Sequence, residues 1–122
     1  MGNPVVHFEI GCRDREKTQK FYSDLFDWNM EAQGPTATIE TGDEGGIDGH
    51  ITSLGHEPHN YVTFYVVVDD LQPYLDKAEK MGGKTMIPPT KIPENDGWFA
   101  WIEDPDGNII GLWVPGMEAP ED

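Results

Sequence analysis

The chain has 122 residues, a single cysteine and a formal net charge of −15, which comes from 23 acidic and 8 basic residues. At this length we expect one domain, spanning residues 1–122, with its own hydrophobic core, and one cysteine excludes an internal disulfide. The acidic excess repels nucleic acid and anionic membranes, so we expect neither as a partner. The sequence has no signal-peptide pattern and no apolar stretch long enough to span a membrane, which favours a cytoplasmic protein.

The first predicted strand has one apolar face and one polar face. Apolar and polar side chains alternate through residues 5–10, so that His7 and Glu9 share one side of the strand. An imidazole and a carboxylate on one face suit metal binding, acid–base chemistry or a hydrogen-bonded anchor. The structural alternative is a buried histidine that is satisfied by Glu9 or by a backbone carbonyl. We expect this face to line a pocket.

A helix and three strands follow. Asp14 is placed to cap a helix that ends near residues 27 and 28. Its apolar residues recur at intervals of three and four and form one stripe, which comprises Phe21, Tyr22, Leu25 and Phe26. Short β-prone runs then predict strands at residues 28–32, 36–41 and 47–54.

After a polar linker at residues 55–60 the same order of elements begins again. A β-prone run predicts a strand at 61–68, and Asp69 or Asp70 caps a second helix that ends at Gly82. Its apolar stripe comprises Leu71, Tyr74, Leu75, Ala78 and Met81. The remaining predicted elements are a strand at 84–87, a loop at 88–96 and a hairpin at 97–115 that turns at residues 104–107.

The two halves match each other. When the second half is aligned to the first with a shift of 56 residues, Phe64 aligns with Phe8 and Asp70 aligns with Asp14. These matches indicate an internal duplication of a β-α-β-β-β unit, with modules at about 4–54 and 60–115.

Four motifs in register resemble one family over about residues 4–115. They are Val-His-Phe-Glu-Ile at 6–10, the helix with Phe21-Tyr22, Leu25-Phe26 and Trp28, Lys-Met-Gly-Gly at 80–83, and Glu-Asp-Pro-Asp-Gly-Asn at 103–108. Together they resemble the vicinal oxygen chelate superfamily, which includes glyoxalase I, bleomycin-resistance proteins and extradiol dioxygenases. The resemblance implies an α+β fold in which two βαβββ modules form a cupped eight-stranded mixed sheet with helices on the convex side. It also implies a small-molecule ligand in the concave cavity and a homodimer.

The resemblance also implies where a divalent metal such as Zn, Ni, Fe or Mn would bind. It places the four ligand positions of the metal-dependent members on His7, His50, Thr63 and Gly111. Glycine has no side chain and a neutral threonine hydroxyl is a poor ligand, so this site is incomplete. His7, His50 and Glu9 could instead form a set of two histidines and one carboxylate. The simpler interpretation of His50 is an exposed residue at a strand end.

The remaining candidate residues follow from strand alternation and aromatic content. Strand alternation places the side chains of Thr63 and Tyr65 on one face, which we expect to line the pocket. Tyr65 is a candidate for proton transfer together with His7 and Glu9. Trp113 shares a face with Gly111, whose missing side chain predicts a vacancy beside an apolar wall that suits a planar ligand. Trp98 and Trp101 lie on opposite faces of their strand, and we take Trp101 as the ligand-binding one.

Other residues have structural interpretations. His56 and His59 are read as part of a solvated linker, and the turn at 104–107 lacks the ligand spacing of a calcium loop. Cys12 has no basic neighbour except Arg13 and Arg15, so we do not expect a catalytic thiolate.

Three functions fit these features. The first is an enzyme, a lyase or isomerase of the lactoylglutathione-lyase type that the resemblance suggests. The alternative is a non-catalytic protein that binds and sequesters a drug or aromatic ligand. The third is a scaffold whose cavity is filled by its own side chains.

Overall fold

The computed structural model describes residues 2–42, 46–54, 60–93 and 96–116. Within these residues the order of elements is β1 (Val5–Gly11), α1 (Arg15–Phe26), β2 (Asn29–Gln33), β3 (Thr36–Glu40), β4 (Asp48–Thr52), β5 (Val62–Val67), α2 (Leu71–Lys80), β6 (Lys84–Lys91), β7 (Trp98–Glu103) and β8 (Ile109–Val114). The eight strands form a mixed sheet, and the β-α-β-β-β order occurs twice. The predicted α+β class is confirmed.

The chain divides into two compact units. The N-terminal unit comprises Val6–Phe64, and the C-terminal unit comprises Met1–Val5 with Tyr65–Asp122. No helix among the described residues is long and apolar enough to cross a membrane.

In the N-terminal unit the strands are ordered β2-β3-β4-β1, with β1 parallel to β4 and the other pairs antiparallel. Its buried core consists of Ile10, Cys12, Ala37, Ile39 and Ile51. Helix α1 begins as predicted, because the Asp14 carboxylate accepts a hydrogen bond from the backbone N–H of Lys17. The helix ends at Asp27, which has a left-handed backbone with φ of 63°.

The apolar stripe of α1 does not pack as its periodicity predicts. Tyr22 packs against the core, but the side chains of Phe21, Leu25 and Phe26 remain 58%, 58% and 52% exposed. Each residue turns the helix by about 100°, so Phe21 and Leu25 lie about 100° and about 60° to one side of Tyr22, which faces the core. The expectation that this whole stripe covers the sheet is therefore wrong.

In the C-terminal unit the strands are ordered β5-β8-β7-β6, with β5 parallel to β8. The core consists of Val68, Leu71, Leu75, Ala100 and Leu112, and Tyr74 packs against it, so α2 packs through the first part of its predicted stripe. Met81 lies after the helix and is 68% exposed, so its place in the stripe is wrong. Asp70 is the N-cap residue of α2. The hairpin of β7 and β8 turns where predicted, and the Asp104 carboxylate there accepts from the backbone N–H groups of Asp106 and Asn108.

Strand β6 is longer than predicted. The proline-rich segment after Ile87 was expected to be a loop, but β6 continues through Pro88 and Pro89 to Lys91. It is the outermost strand of its unit, and its register with β7 shifts between Thr85 and Thr90. Proline has no N–H to donate, which an edge strand with bulges tolerates. The loop prediction for residues 88–91 is wrong for this reason.

Candidate functional site

Two histidines meet in the centre of the N-terminal unit. Strand β4 lies between β1 and β3, and its pairing with β1 places His50 opposite Glu9. His7 Nε2 lies 2.7 Å from His50 Nδ1, and the two ring centroids are 4.9 Å apart. The side chain of His50 is only 25% exposed. The interpretation of His50 as an exposed strand-end residue is therefore wrong.

A buried carboxylate lies on the other side of His50. Glu9 is 5% exposed, and its Oε1 is 3.5 Å from His50 Nε2. Its second oxygen accepts a hydrogen bond from the Tyr61 hydroxyl. We call these four residues, His7, Glu9, His50 and Tyr61, the His–Glu cluster. Tyr61 is not among the predicted site residues, although it alternates with Thr63 and Tyr65 along the same β-prone run and this spacing places it on their face.

Both imidazoles of the cluster are neutral at pH 7. Burial is the largest cause of a lowered pKa of His7, the neighbouring His50 acts in the same direction and Asp48 opposes both, so that the pKa is about 4. Burial also lowers the pKa of His50, with Glu9 opposing. A carboxylate beside Nε2 of His50 favours a proton on that nitrogen, which leaves Nδ1 to accept from the Nε2–H of His7. Nδ1 of His7 is then its acceptor nitrogen.

The low pKa of His7 predicts how stability depends on pH. Between pH 6.5, the ordinary pKa of histidine, and about pH 4, His7 binds a proton in the unfolded chain but not in the folded protein. We therefore expect the free energy of unfolding to fall as pH drops through this window, by on the order of 1–3 kcal/mol because the ring is only partly shielded from solvent. The lowered pKa of His50 also decreases the free energy of unfolding as the pH falls.

Urea unfolding at several pH values, with His7→Asn for comparison, measures this dependence. The variant should show a shallower fall between pH 6.5 and 4. Equal slopes for the two proteins would contradict the lowered pKa of His7.

The cluster does not fit one metal ion held by all three candidate ligands. His50 faces His7 through Nδ1 and Glu9 through Nε2, so the two partners lie on opposite sides of its ring. The imidazole ring of His50 would separate the Glu9 carboxylate from an ion that is bound to His7 and to Nδ1 of His50. Glu9 could therefore not bind the same ion. Among the residues that the structure describes, no group of three or more His, Cys, Asp or Glu side chains could hold a metal.

The other predicted site residues, apart from Thr63, lie in the C-terminal unit. Tyr65, Gly111 and Trp101 occupy one row across β5, β8 and β7. The Trp101 Nε1–H donates to the Tyr65 hydroxyl over 2.8 Å, and both side chains are buried. Phe99 contacts the Tyr65 ring edge-on. We call Tyr65, Phe99, Trp101 and Trp113 the aromatic face, because strand alternation puts all four on one side of the sheet.

The predicted vacancy beside Gly111 is wrong. A Cβ atom on Gly111 would lie 2.5 Å from two carbons of the Tyr65 ring, closer than van der Waals contact allows. The ring of Tyr65 therefore fills the space that the missing side chain leaves. Glycine at this position permits a buried tyrosine on the neighbouring strand, and does not open a ligand pocket.

Trp113 and Thr63 complete the predicted set. Trp113 is half-buried, pairs with Phe99 across the strands, and donates its Nε1–H to the Asp96 carbonyl over 2.9 Å. Thr63 is buried in the N-terminal unit.

Three residues remain that were predicted to have no part in the site. Cys12 is buried and burial raises the pKa of its thiol, which agrees with an unreactive cysteine. The linker that contains His56 and His59 lies outside the described residues.

Comparison with known proteins gives a consistent result. The model of the Glyoxalase/Bleomycin resistance protein/Dioxygenase superfamily matches residues 5–112. The chain is 30% identical over 116 residues to a glyoxylase-like domain-containing protein of Didymella fabae, with 88% of this chain and 91% of that one covered. It is 29% identical to CFP32 of Mycobacterium bovis, with 86% of this chain covered but only 43% of that protein.

Among solved structures, a variant of methylmalonyl-CoA epimerase from Streptomyces coelicolor in complex with 2-nitronate-propionyl-CoA superposes with a TM-score of 0.63. The match covers 98% of this chain and 100% of that one at 14% identity. A likeness at this identity shows the fold alone.

Proposed function

Because the chain belongs to the Glyoxalase/Bleomycin resistance protein/Dioxygenase superfamily, we propose that it is a lyase or isomerase that moves a proton on a small metabolite through its His–Glu cluster. The observation that carries this proposal is the unbroken sequence of contacts from His7 through His50 to Glu9. A carboxylate, two neutral imidazoles and a tyrosine hydroxyl form the kind of array that performs general acid–base catalysis.

In this proposal each member of the cluster has one task. Nδ1 of His7 removes a proton from a substrate carbon, and the electron pair of that C–H bond moves onto the adjacent carbonyl oxygen. The Nε2 proton of His7 passes to His50, and the Nε2 proton of His50 passes to Glu9. The Tyr61 hydroxyl bonds to the second oxygen of Glu9 and holds it in place. Return of a proton along the same path reaches the face of the enolate that His7 occupies: at the original carbon it gives exchange with solvent, and at the neighbouring carbon it completes an isomerisation.

The ionisation state of the cluster leaves the His7 ring deprotonated, as a base must be before it acts. A base must be deprotonated before it acts, and His7 with a pKa of about 4 is neutral from about pH 5 upward. The substrate class we propose is a carbon acid next to a thioester carbonyl. The epimerase among the structural neighbours, by its name, acts on such a compound, and lactoylglutathione is another.

Deuterium exchange tests this proposal without a known substrate. The protein is incubated in D₂O with methylmalonyl-CoA and, separately, with S-lactoylglutathione, and the loss of the C–H signal next to the carbonyl is followed by NMR. We expect exchange with at least one of the two, and a decrease of about 10²–10⁴-fold in its rate with His7→Asn. Glu31→Gln, at an exposed position on β2, is the matched control and should exchange at the rate of the unchanged protein.

Failure of both compounds to exchange would contradict the enzyme proposal for thioester carbon acids. Exchange that survives His7→Asn would contradict the role of the cluster.

A second function, non-catalytic binding of an aromatic or drug-like ligand, is favoured by the aromatic face. Trp113 and Phe99 are only partly buried there, so their rings can stack on a planar molecule. Trp113 and Phe99 would form this binding surface without a chemical step. The proposal also includes a homodimer and a cytoplasmic location, which stay predictions from the sequence.

A further inference from the structure

Strands β1 to β4 of the N-terminal unit have an apolar side and a polar side. Helix α1 lies on the apolar side, where Tyr22 packs against the buried core. Side chains alternate along each strand, so the residues between the core positions point to the other side. We call this other side the cluster face, because His7, Glu9 and His50 lie on it.

The cluster face carries negative charge and, within these four described strands, no lysine or arginine. Each strand contributes one carboxylate, and the four are Glu9, Glu31, Glu40 and Asp48. The whole sequence has no lysine or arginine at residues 21–76. The neutral imidazoles of the cluster do not offset these charges. An anion that approaches this side of the unit therefore meets charges of its own sign.

Asp48 is the carboxylate of this face that lies beside the proposed base. The parallel pairing of β1 with β4 places it opposite His7, and its charge acts on the pKa of that ring. Its Oδ1 accepts a hydrogen bond from the backbone N–H of Thr41 over 3.1 Å, which fixes the side chain. Asp48 is exposed, and no ion pair with it occurs among the residues that the structure describes. A molecule that reaches His7 is therefore close to this charge.

The proposed proton transfer places a negative charge on the substrate. When the proton that leaves the substrate carbon is balanced by protonation of Glu9, the charge of that carboxylate passes to the enolate oxygen. A substituent that is already anionic would add a second negative charge to the substrate, beside the charge of Asp48. Like charges a few ångströms apart repel each other strongly where solvent is partly excluded. An uncharged substituent avoids this repulsion.

We infer that the cluster face rejects anionic groups at the reacting end of a substrate, and that Asp48 is the residue that determines this specificity. The inference rests on the proposed function and narrows its substrate class to carbon acids with an uncharged substituent on the reacting carbon. Of the two compounds proposed for the exchange test, S-lactoylglutathione has a hydroxyl group at that carbon and methylmalonyl-CoA has a carboxylate. The first compound fits the cluster face and the second does not.

Paramagnetic relaxation tests the charge of this face without any substrate. Carboxy-PROXYL, an anion, and aminomethyl-PROXYL, a cation of similar size, are added separately to ¹⁵N-labelled protein at low ionic strength, and the relaxation of each amide proton is measured by NMR. The ratio of cationic to anionic effect at Thr38 and Asp48 should exceed the ratio at Lys17 and Lys20 of α1 at least about twofold. Asp48→Asn should lower the ratio at Thr38 and leave that at Lys17 unchanged. Equal ratios on the two sides would overturn the inference, whatever the protein catalyses.

Deuterium exchange tests the specificity itself. The rate with S-lactoylglutathione is divided by the rate with methylmalonyl-CoA, and this quotient is compared among variants, so that the different acidities of the two compounds cancel. Asp48→Asn keeps an oxygen that can accept from Thr41 and should lower the quotient at least about threefold. Asp48→Lys should lower it further, through faster exchange of methylmalonyl-CoA. Glu31→Gln removes a carboxylate from the outermost strand, three strands from His7, and should leave the quotient unchanged.

The outcomes separate this inference from the proposed function. A quotient that neither Asp48→Asn nor Asp48→Lys lowers would overturn the role of Asp48 while the proposed proton transfer stands. If neither compound exchanges, the proposed function fails, and the comparison of the two nitroxides decides whether the cluster face rejects anions.

Discussion

Replacing Gly111 with alanine is expected to destabilise the protein by about 1–3 kcal/mol, although alanine adds only a methyl group. The added Cβ would lie 2.5 Å from the ring of Tyr65. That ring cannot move aside cheaply, since its hydroxyl accepts a hydrogen bond from buried Trp101 and its edge contacts Phe99. Urea unfolding monitored by tryptophan fluorescence measures the loss.

Two further variants identify the cause. Gly42→Ala places a Cβ where no atom lies within 4 Å, so it should change stability by less than about 0.5 kcal/mol. Adding Gly111→Ala to Tyr65→Ala should cost much less than adding it to the unchanged protein, because the clashing ring is gone. If Gly111→Ala alone is as harmless as Gly42→Ala, then Tyr65 does not cover Gly111 and the predicted vacancy has to be reconsidered.

Replacing Glu9 with leucine is expected to cost about 2–4 kcal/mol of stability. Leucine has a similar volume, so the loss comes from polar partners and not from a cavity. The Tyr61 hydroxyl and Nε2 of His50 would both face a hydrocarbon where they now face carboxylate oxygens. Thermal and urea unfolding give the free energy of unfolding.

The control for Glu9→Leu is Glu31→Leu, which changes an exposed glutamate on β2 and should be nearly neutral. Tyr61→Phe removes the hydroxyl that bonds to Glu9, and combining it with Glu9→Leu should give a coupling energy of about 0.5–3 kcal/mol. Strictly additive effects would show that Tyr61 and Glu9 do not act together, and the His–Glu cluster would lose one of its members.

Much of the fold could be predicted because its signals are local. Asp14 caps α1 through a hydrogen bond three residues away, and Asp104 builds its turn within four residues. Strict alternation places His7 and Glu9 on one face before any partner strand is known. These features depend on near neighbours in the chain, so a sequence pattern carries them.

The errors concern contacts between distant segments. His50 was assigned to a strand end because its burial depends on β4 lying between β1 and β3, which no local pattern reveals. Gly111 was read as a vacancy because the Tyr65 ring that fills it comes from another strand, 46 residues earlier in the chain. Helix periodicity gave α1 an apolar stripe, but it could not show that Phe21 and Leu25 would remain exposed.

The proposed proton path requires that His7 and His50 are neutral and bonded to each other, with Glu9 on the far side of the His50 ring. Long-range ¹⁵N–¹H NMR of the imidazole nitrogens between pH 3.5 and 8 observes this state directly. We expect two neutral rings at pH 7, with the proton of each on Nε2, and His7 titrating at a pKa of about 4. A pKa near 6.5 for both histidines, with tautomers that are unaffected by Glu9→Leu, would contradict it.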